Sequence, residues 1–376
     1  MKFTAIITLM TELKKIKLTL LGEDIDHRHS LIAMLKGHCH SLGWVQDSHS
    51  MKQKGLPLGL LSRISRYFDQ MTYTRDKNFL NSICQYLDQS CSNIVVAYWG
   101  TNPLSDIVAI KRLRPAVKIV LMVLCHPLAL DNIGVLRQNL MMRRAAKWLD
   151  GILYPSKVMA DYFHKNVFRA QFDRLPHLVL PPCWPMSYQC ATNPPRGGNY
   201  ANIIYVGRTD LSHHTVHVGD DLRPQMRAIL DAGIELHHVR SPETSDEHPN
   251  RRPFSPLSQN DLIAKMAVYD ASLISYNIDA CNRPDRFELT IPDRLITSVA
   301  AGVPIAVPAK GYAGVKSYLH EYPAVFQFET AVDLKLQLDN RSRVESVRDR
   351  AWNARKNYAA ESHGEALASF LTQFVS

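Results

Sequence analysis

The strongest constraint on this chain is a series of short apolar runs, each closed by a turn and each separated from the next by helical spacing. Ile16–Leu21 (IKLTLL) ends at Gly22, and Ile94–Trp99 (IVVAYW) ends at Gly100. Val117–Leu124 (VKIVLMVL) leads into Cys125-His126-Pro127. Asp150–Tyr154 (DGILY) is the fourth run, and the fifth starts at Leu178–Leu180 and ends in Pro181-Pro182. Between the first two, Ser30–Leu42 carries Leu31, Met34, Leu35 and Leu42 at helical spacing. Near-continuous apolar strands separated by helices predict a parallel sheet covered on both faces. Such sheets hold ligands at the carboxyl ends of their strands. Those ends are Gly22–His29, Trp99–Asn102, His126 and Ser156.

A second alternating series follows. Residues 183–200 (CWPMSYQCATNPPRGGNY) lose periodicity and read as a linker. Asn202–Val206 is then a strand ending at Gly207, and Ile234–Val239 is the next. Asp261–Tyr269 is a helix leading to the strand Ala271–Tyr276. Pro292–Ala301 is a helix, Val303–Val307 a strand, and Val344–Phe374 mostly helical. Residues 240–260 hold four prolines and read as a long loop. A length of 376 residues suits two domains. The expected division is 1–185, a linker at 186–200, a second domain over 201–345, and a terminal helix over 346–376.

Composition excludes several classes. Apolar residues make up 46% and charged residues 21%, which rules out wholesale disorder. The longest apolar stretch, Ile119–Leu130, is broken by His126 and Pro127 and falls short of the ~18–20 residues a spanning helix needs. After Lys2, the apolar stretch Phe3–Met10 is short, has no small-residue cleavage site, and runs into Glu12, Lys14 and Lys15. It reads as a cytoplasmic start rather than a signal peptide. Seven cysteines without a CxxC pair read as free thiols in a reducing compartment. Histidine pairs such as His27-x-His29 and His213-His214 lack metal-ligand spacing, so no metal is expected.

The net charge of +9 is unevenly placed. Residues 1–190 hold 24 Lys and Arg against 13 Asp and Glu, whereas residues 191–376 hold 20 against 22. A basic first half implies an anionic partner. Its focus is Lys111, Arg112, Arg114 and Lys118, then Arg137, Arg143, Arg144 and Lys147 beside Leu136, Leu140, Met141, Trp148 and Leu149. A basic helix with Met and Trp reads as interfacial, so the expected partner is an anionic membrane surface. The aromatics do not interleave with the basic residues as in a nucleic-acid module, so nucleic acid is not expected.

Two βα series joined by a Pro/Gly linker resemble the plan of GT-B glycosyltransferases of the family 4-like, or group 1, kind. The strand ending at His126 is similar to the one that carries an active-site histidine there. Asp150–Tyr162 (DGILYPSKVMADY) resembles the family's strand-then-helix segment, and Leu180-Pro181-Pro182 its run into the hinge. Tyr205-Val206-Gly207-Arg208 is similar to the turn that opens the nucleotide-sugar domain. Tyr269–Ile274 resembles its hydrophobic-Asp-hydrophobic strand start, and Ile291–Pro308 (IPDRLITSVAAGVPIAVP) its helix-Ala-Gly-x-Pro-strand unit. The chain also departs from the pattern. Glu288 stands for the first of two glutamates, Thr297 occupies the place of the second, and His213 and His214 stand where many members have a lysine.

The resemblance implies an α/β fold of two Rossmann-like domains facing a cleft, with the C-terminal helix of 346–376 crossing back to pack on the first domain, and transfer of a sugar from a nucleotide-diphosphate donor. The departing diphosphate needs backbone amides and cations, a role that falls to Gly207, Arg208, Thr209 and Arg294. Glu288 is expected to accept hydrogen bonds from ribose or sugar hydroxyls, with Tyr276 and Asn277 shaping the donor pocket. His126 is expected to contact the donor sugar or assist proton transfer. Asp24, Asp26, His27 and Arg28 lie where the acceptor loop should be. The carboxylate that activates the acceptor is either Asp24 or Asp131. The expected acceptor is lipid-linked or a surface polysaccharide at the cytoplasmic membrane face, and no cofactor is expected. A nucleotide-sugar epimerase and a non-catalytic binding subunit are the other readings of the same fold.

Overall fold

The structure is a computed structural model that describes residues 16–47, 77–99, 103–168, 175–196, 201–207, 218–239 and 248–375. The chain divides into two units, Met1–Pro182 with Ala360–Ser376, and Cys183–Ala359.

In the first unit, β1 (Lys17–Leu21), α1 (Asp26–Leu35), β2 (Ser41–Val45), α2 (Lys77–Ser90), β3 (Ile94–Tyr98), α3 (Leu104–Leu113), β4 (Lys118–Met122), α4 (Asn132–Ala146), β5 (Gly151–Tyr154), α5 (Lys157–Tyr162) and β6 (His177–Val179) follow one another. All six strands pair in parallel in the order β2-β1-β3-β4-β5-β6. Leu18 lies between Leu42 and Ile94, and Val95 lies opposite Ile119. Every residue of β3 is buried, because helices cover both faces. Chain order reverses between β1 and β3, so the crevice beyond their carboxyl ends is this sheet's switch point.

Several cations singled out in the sequence neutralise local carboxylates. Lys111 Nζ lies 2.7 Å from Asp150, with Lys118 at 3.5 Å from the same carboxylate. Arg114 pairs with Asp88.

In the second unit come β7 (Asn202–Tyr205), α6 (Arg223–Asp231), β8 (Glu235–Val239), β9 (Arg251–Phe254), α7 (Gln259–Met266), β10 (Ala271–Leu273), α8 (Asp285–Leu289), α9 (Asp293–Ala301), β11 (Ile305–Pro308), α10 (Ala313–Tyr318), β12 (Val325–Phe328), α11 (Ala331–Asp339) and α12 (Arg341–Ala354). These strands are also all parallel, in the order β12-β11-β10-β7-β8-β9. That is the Rossmann order, with its switch point between β7 and β10.

Four expectations need correction. The helical spacing does not run on to Leu42: α1 ends at Leu35, Gly37 turns the chain with a positive φ, and Leu42 lies in β2. The segment 240–260 is not loop throughout: Arg251–Phe254 forms β9 at the sheet edge. Pro253 is tolerated there because an edge strand has no further ladder to donate to. The expected linker is not free-standing as far as Arg196. Trp184 is buried and donates from Nε1 to Thr297 Oγ1 at 2.9 Å, and Arg196 pairs with Asp270 at 2.6 Å. The terminal helical segment divides. α12 stays with the second unit, where Arg348 donates to the carbonyls of Tyr269 and Ala267. Only from Ala360 does the chain rejoin the first unit, where α13 (Gly364–Thr372) buries Leu367, Phe370 and Leu371 and packs on α1. Among the described residues, no helix is long and apolar enough to cross a membrane.

Candidate functional site

At the switch point of the second unit, β7 ends in Tyr205, whose ring folds under the following turn. A Cβ on Gly207 would lie 2.5 Å from the Tyr205 hydroxyl, so any larger residue would have to displace that ring. Arg294 enters from the first turn of α9. Its guanidinium carbon lies 4.2 Å from the centroid of the Tyr276 ring and 5.3 Å from that of Tyr205. Arg294 Nη2 donates to the Ser275 carbonyl at 2.8 Å, while buried Nε has no hydrogen-bond partner. Tyr312 fixes the other side: its hydroxyl donates to the Tyr276 carbonyl at 3.0 Å and accepts from the Tyr276 amide at 2.7 Å. Ser298 ties α9 to β10 through Ser272 at 2.8 Å. The result is a cation held between aromatic faces beside a glycine turn. Arg208 and Thr209 lie outside the described residues, as do His213 and His214.

Tyr276 also borders a pocket of about 820 Å³. Its walls include Asp279, Glu288, Lys310, Tyr312 and Glu329. Three carboxylates face one ammonium, and Lys310 Nζ is 3.4 Å from Asp279. Glu288 Oε2 accepts from the Ala313 amide at 3.2 Å, at the start of α10. Asn277 stands just behind this wall and accepts from Gln225 Nε2 at 3.3 Å. Carboxylates so placed accept hydrogen bonds from hydroxyl-rich ligands. Thr297 takes no part in the pocket wall. It is buried in α9, donates to the Asp293 carbonyl at 2.9 Å, and accepts from Trp184 and from Gln259 Nε2, both also at 2.9 Å.

The candidates of the first unit are scattered by comparison. His126 is 0% exposed, packed 4.9 Å from the Phe163 ring, with Nε2 2.8 Å from Asn139 Oδ1. Asn139 Nδ2 donates to Tyr162 at 3.2 Å, which orients the amide and assigns the imidazole proton to Nε2. Nδ1 is left without a partner among the described residues. Burial pushes the pKa down to about 4, so the ring is neutral and offers a lone pair rather than a proton.

Asp131 caps α4, accepting from the Gly134 amide at 2.7 Å. That bond gives it a structural task. Asp24 stands instead at the first unit's switch point, 3.0 Å from Arg28 Nη2. Arg28 lies 4.5 Å over the Trp44 ring, and Trp44 Nε1 donates to the Gly22 carbonyl at 3.2 Å and the Tyr98 hydroxyl at 3.1 Å. Burial raises the Tyr98 pKa, so the phenol stays protonated and donates to the Glu23 carbonyl.

The structure thus gathers Gly207, Tyr276, Asn277, Glu288 and Arg294 around one end of the second sheet, and in the first unit leaves Asp24 after β1, His126 after β4 and Asp131 at the cap of α4. Sequence reasoning missed Tyr205, Tyr312, Lys310 and Trp44. A tyrosine two residues before a strand-ending glycine was the available signal for Tyr205.

No protein-family model matches the sequence, and no curated protein matches it. Solved structures resemble it over almost its full length. A sucrose-phosphate synthase from Thermosynechococcus elongatus is 10% identical at a TM-score of 0.61, covering 95% of this chain and 98% of that one. A glycosyltransferase from Rickettsia africae is 11% identical at a TM-score of 0.59, covering 96% and 98%. Anabaena HepE in complex with UDP is 10% identical at a TM-score of 0.56, covering 95% and 100%. Likeness at this level of identity establishes architecture, and the architecture is the GT-B fold, built from two Rossmann-like βα units.

Proposed function

We propose that the protein is a glycosyltransferase that takes a sugar from a nucleotide-diphosphate donor held at the switch point of its second unit. The observation that carries this reading is the Arg294 guanidinium, caged by Tyr205 and Tyr276 beside the Gly207 turn, with one buried N–H unpartnered. Negative charge grows on the β-phosphate as the sugar's C1–O bond breaks. A fixed cation at the N-terminus of a helix stabilises that charge. The neighbouring carboxylates of Asp279, Glu288 and Glu329 suit sugar hydroxyls. The UDP bound by Anabaena HepE supports the same class of donor.

The acceptor in this reading is lipid-linked or a surface polysaccharide, met at the cytoplasmic face of a membrane by the basic first unit. Asp24, paired with Arg28, is the favoured acceptor-activating carboxylate, because Asp131 is committed to its helix cap. His126 contributes a neutral acceptor in the segment that follows β4. No metal or prosthetic group is assigned a part.

A second reading, a non-catalytic subunit of the same fold, is favoured by one observation: Thr297 fills the second glutamate's place with a hydroxyl already used by three partners. Calorimetric titration with UDP, GDP, ADP and CDP, followed by a transfer assay from the matching nucleotide sugar, tests both. Diphosphate binding with transfer is the expected result. Binding without turnover favours the subunit reading, and product formed from donor alone favours an epimerase. Failure of all four diphosphates to bind overturns the proposal.

A further inference from the structure

The outward face of α4 has a composition its packing does not explain. Residues 133, 136, 137, 140, 144 and 147 follow one line along the helix at spacings of three and four. Its first half is apolar: Ile133 is 80% exposed, Leu136 70% and Leu140 37%. Its second half is cationic, with Arg144 and Lys147 exposed, and Arg137 lies exposed between the apolar residues. Between Asn132 and Leu149 there is no Asp or Glu. The flanking acids are occupied, Asp131 in the helix cap and Asp150 with Lys111. Lys147 and Arg112 both lie over the Trp148 ring, at 5.3 and 5.4 Å, extending the cationic end. Arg143, which the sequence placed with this group, belongs to the interior side. Its guanidinium donates to the carbonyls of Val167 and Asn166.

Resting on the reading of the protein as a transferase that works at a membrane, we propose that this face of α4 docks on an anionic lipid surface. Ile133 and Leu136 reach below the headgroups, and Arg144 and Lys147 lie level with the lipid phosphates. One exposed isoleucine is ordinary on a protein surface. Three apolar side chains in line with two cations, Arg144 and Lys147, on a helix without a carboxylate, match the interfacial pattern. Charge selects the occupant. A purely apolar partner leaves the cations unused, and an uncharged bilayer does the same. Long basic side chains extend their stems over apolar surface while keeping their charge at the phosphates.

The test uses the full chain with vesicles of phosphatidylcholine alone and of phosphatidylcholine mixed with phosphatidylglycerol. The parent should sediment with the anionic vesicles and not with the neutral ones. Ile133→Ser with Leu136→Ser should weaken that binding at least about tenfold, since both side chains then lose their apolar burial. Arg144→Gln with Lys147→Gln should weaken it by about 25-fold at low salt, from about fivefold per cation, the equivalent of ~1 kcal/mol. All these side chains are exposed, so the variants should keep the parent's thermal transition and its diphosphate affinity. Absence of binding by the parent overturns the proposal. So does equal binding by the apolar variant. Sedimentation velocity without lipid supplies the third arm: a parent dimer that the apolar substitutions turn to monomer assigns the face to a second copy and also overturns it. Diphosphate titration stands apart from vesicle binding, so its failure removes the transferase reading without being confused with failure of the docking face.

Discussion

Asp270 and Arg341 meet through two hydrogen bonds, Nη2 to Oδ1 at 2.7 Å and Nη1 to Oδ2 at 3.0 Å, although they lie 71 positions apart. The carboxylate is fully buried at the foot of β10. Arg196 binds its Oδ1 at 2.6 Å, and the Asn202 amide donates to its Oδ2 at 3.1 Å. One acid therefore joins the segment before β7, the start of β7, the start of β10 and the start of α12.

Removing that acid leaves two guanidinium groups facing each other without a counter-charge. Breaking a buried ion pair on one side costs about 3–5 kcal/mol. Asp270→Ala should lower the stability of the second unit by that amount. Arg341→Met should cost less, about 1–3 kcal/mol, because Arg196 still balances the charge. Thermal unfolding followed by tryptophan fluorescence reads both. Equal transition temperatures for parent and Asp270→Ala would show that the pairing holds nothing together.

His126 predicts a pH dependence of stability. Burial holds its folded pKa near 4, below the ordinary histidine value of about 6.5. Between those values the unfolded chain binds a proton that the folded one refuses, so stability rises with pH across this window. The contribution is complete above about pH 6.5 and is lost as pH falls toward 4, up to about 3 kcal/mol. Folded-state burial also lowers the pKa of His237 and His238, which adds a slope of the same sign. The diagnostic is therefore the difference between parent and His126→Gln, measured by urea titration from pH 4 to 7. A difference independent of pH contradicts a buried neutral imidazole.

How much of this was legible in the sequence depends on how far apart the interacting residues lie. The βα alternation was legible because strand period, glycine and proline act within a few residues. Gly207 and Arg294 were placed at a strand end and a helix start for the same local reason. That both touch the Tyr205 ring was not legible, since it depends on how α9 packs against β10 through Ser298 and Ser272. Prolines hid β9, because an edge strand tolerates what an inner strand does not. The unit to which α12 belongs was hidden too: its charged surface looks alike wherever it lies, and contacts such as Arg348 to Tyr269 cross 79 positions. Asp131 shows the opposite case. Its spacing to Gly134 is a local capping signal, whereas the sequence reading holds it as the alternative to Asp24 for the acceptor-activating carboxylate.

Arg294 should matter to diphosphate binding through its charge. A hydrogen bond to a charged group contributes roughly 1.5–3 kcal/mol. Arg294→Ala should therefore weaken nucleoside-diphosphate affinity by about 10- to 150-fold, at ~1.4 kcal/mol per decade. Arg294→Lys should recover part of it, since an ammonium keeps the charge but loses the planar fork and its stacking on Tyr276. Loss of the bond to Ser275 also loosens the loop, so circular dichroism must show both variants folded. Affinity within twofold of the parent for the alanine variant would falsify the diphosphate assignment.

Glu288 offers a test that separates sugar binding from diphosphate binding. Its carboxylate lines the pocket beyond Tyr276 and holds the Ala313 amide at the start of α10. If it accepts hydrogen bonds from donor-sugar hydroxyls, it acts on the nucleotide sugar and not on the free nucleoside diphosphate. Glu288→Ala should then lower kcat/KM for transfer by about 10- to 150-fold, the equivalent of ~1.5–3 kcal/mol for bonds to a charged acceptor. Diphosphate affinity should stay within about twofold of the parent. Glu288→Gln keeps an acceptor for Ala313 and loses only the charge, so it should fall between the two. The comparison also controls for local damage: if the alanine variant fails because α10 shifts, the glutamine variant should behave like the parent, whereas loss of a charged contact to the sugar lowers both. Steady-state kinetics with saturating acceptor, alongside calorimetry of the diphosphate, gives the two readings. A Glu288→Ala variant that loses diphosphate affinity as strongly as Arg294→Ala would move Glu288 from the sugar to the nucleotide.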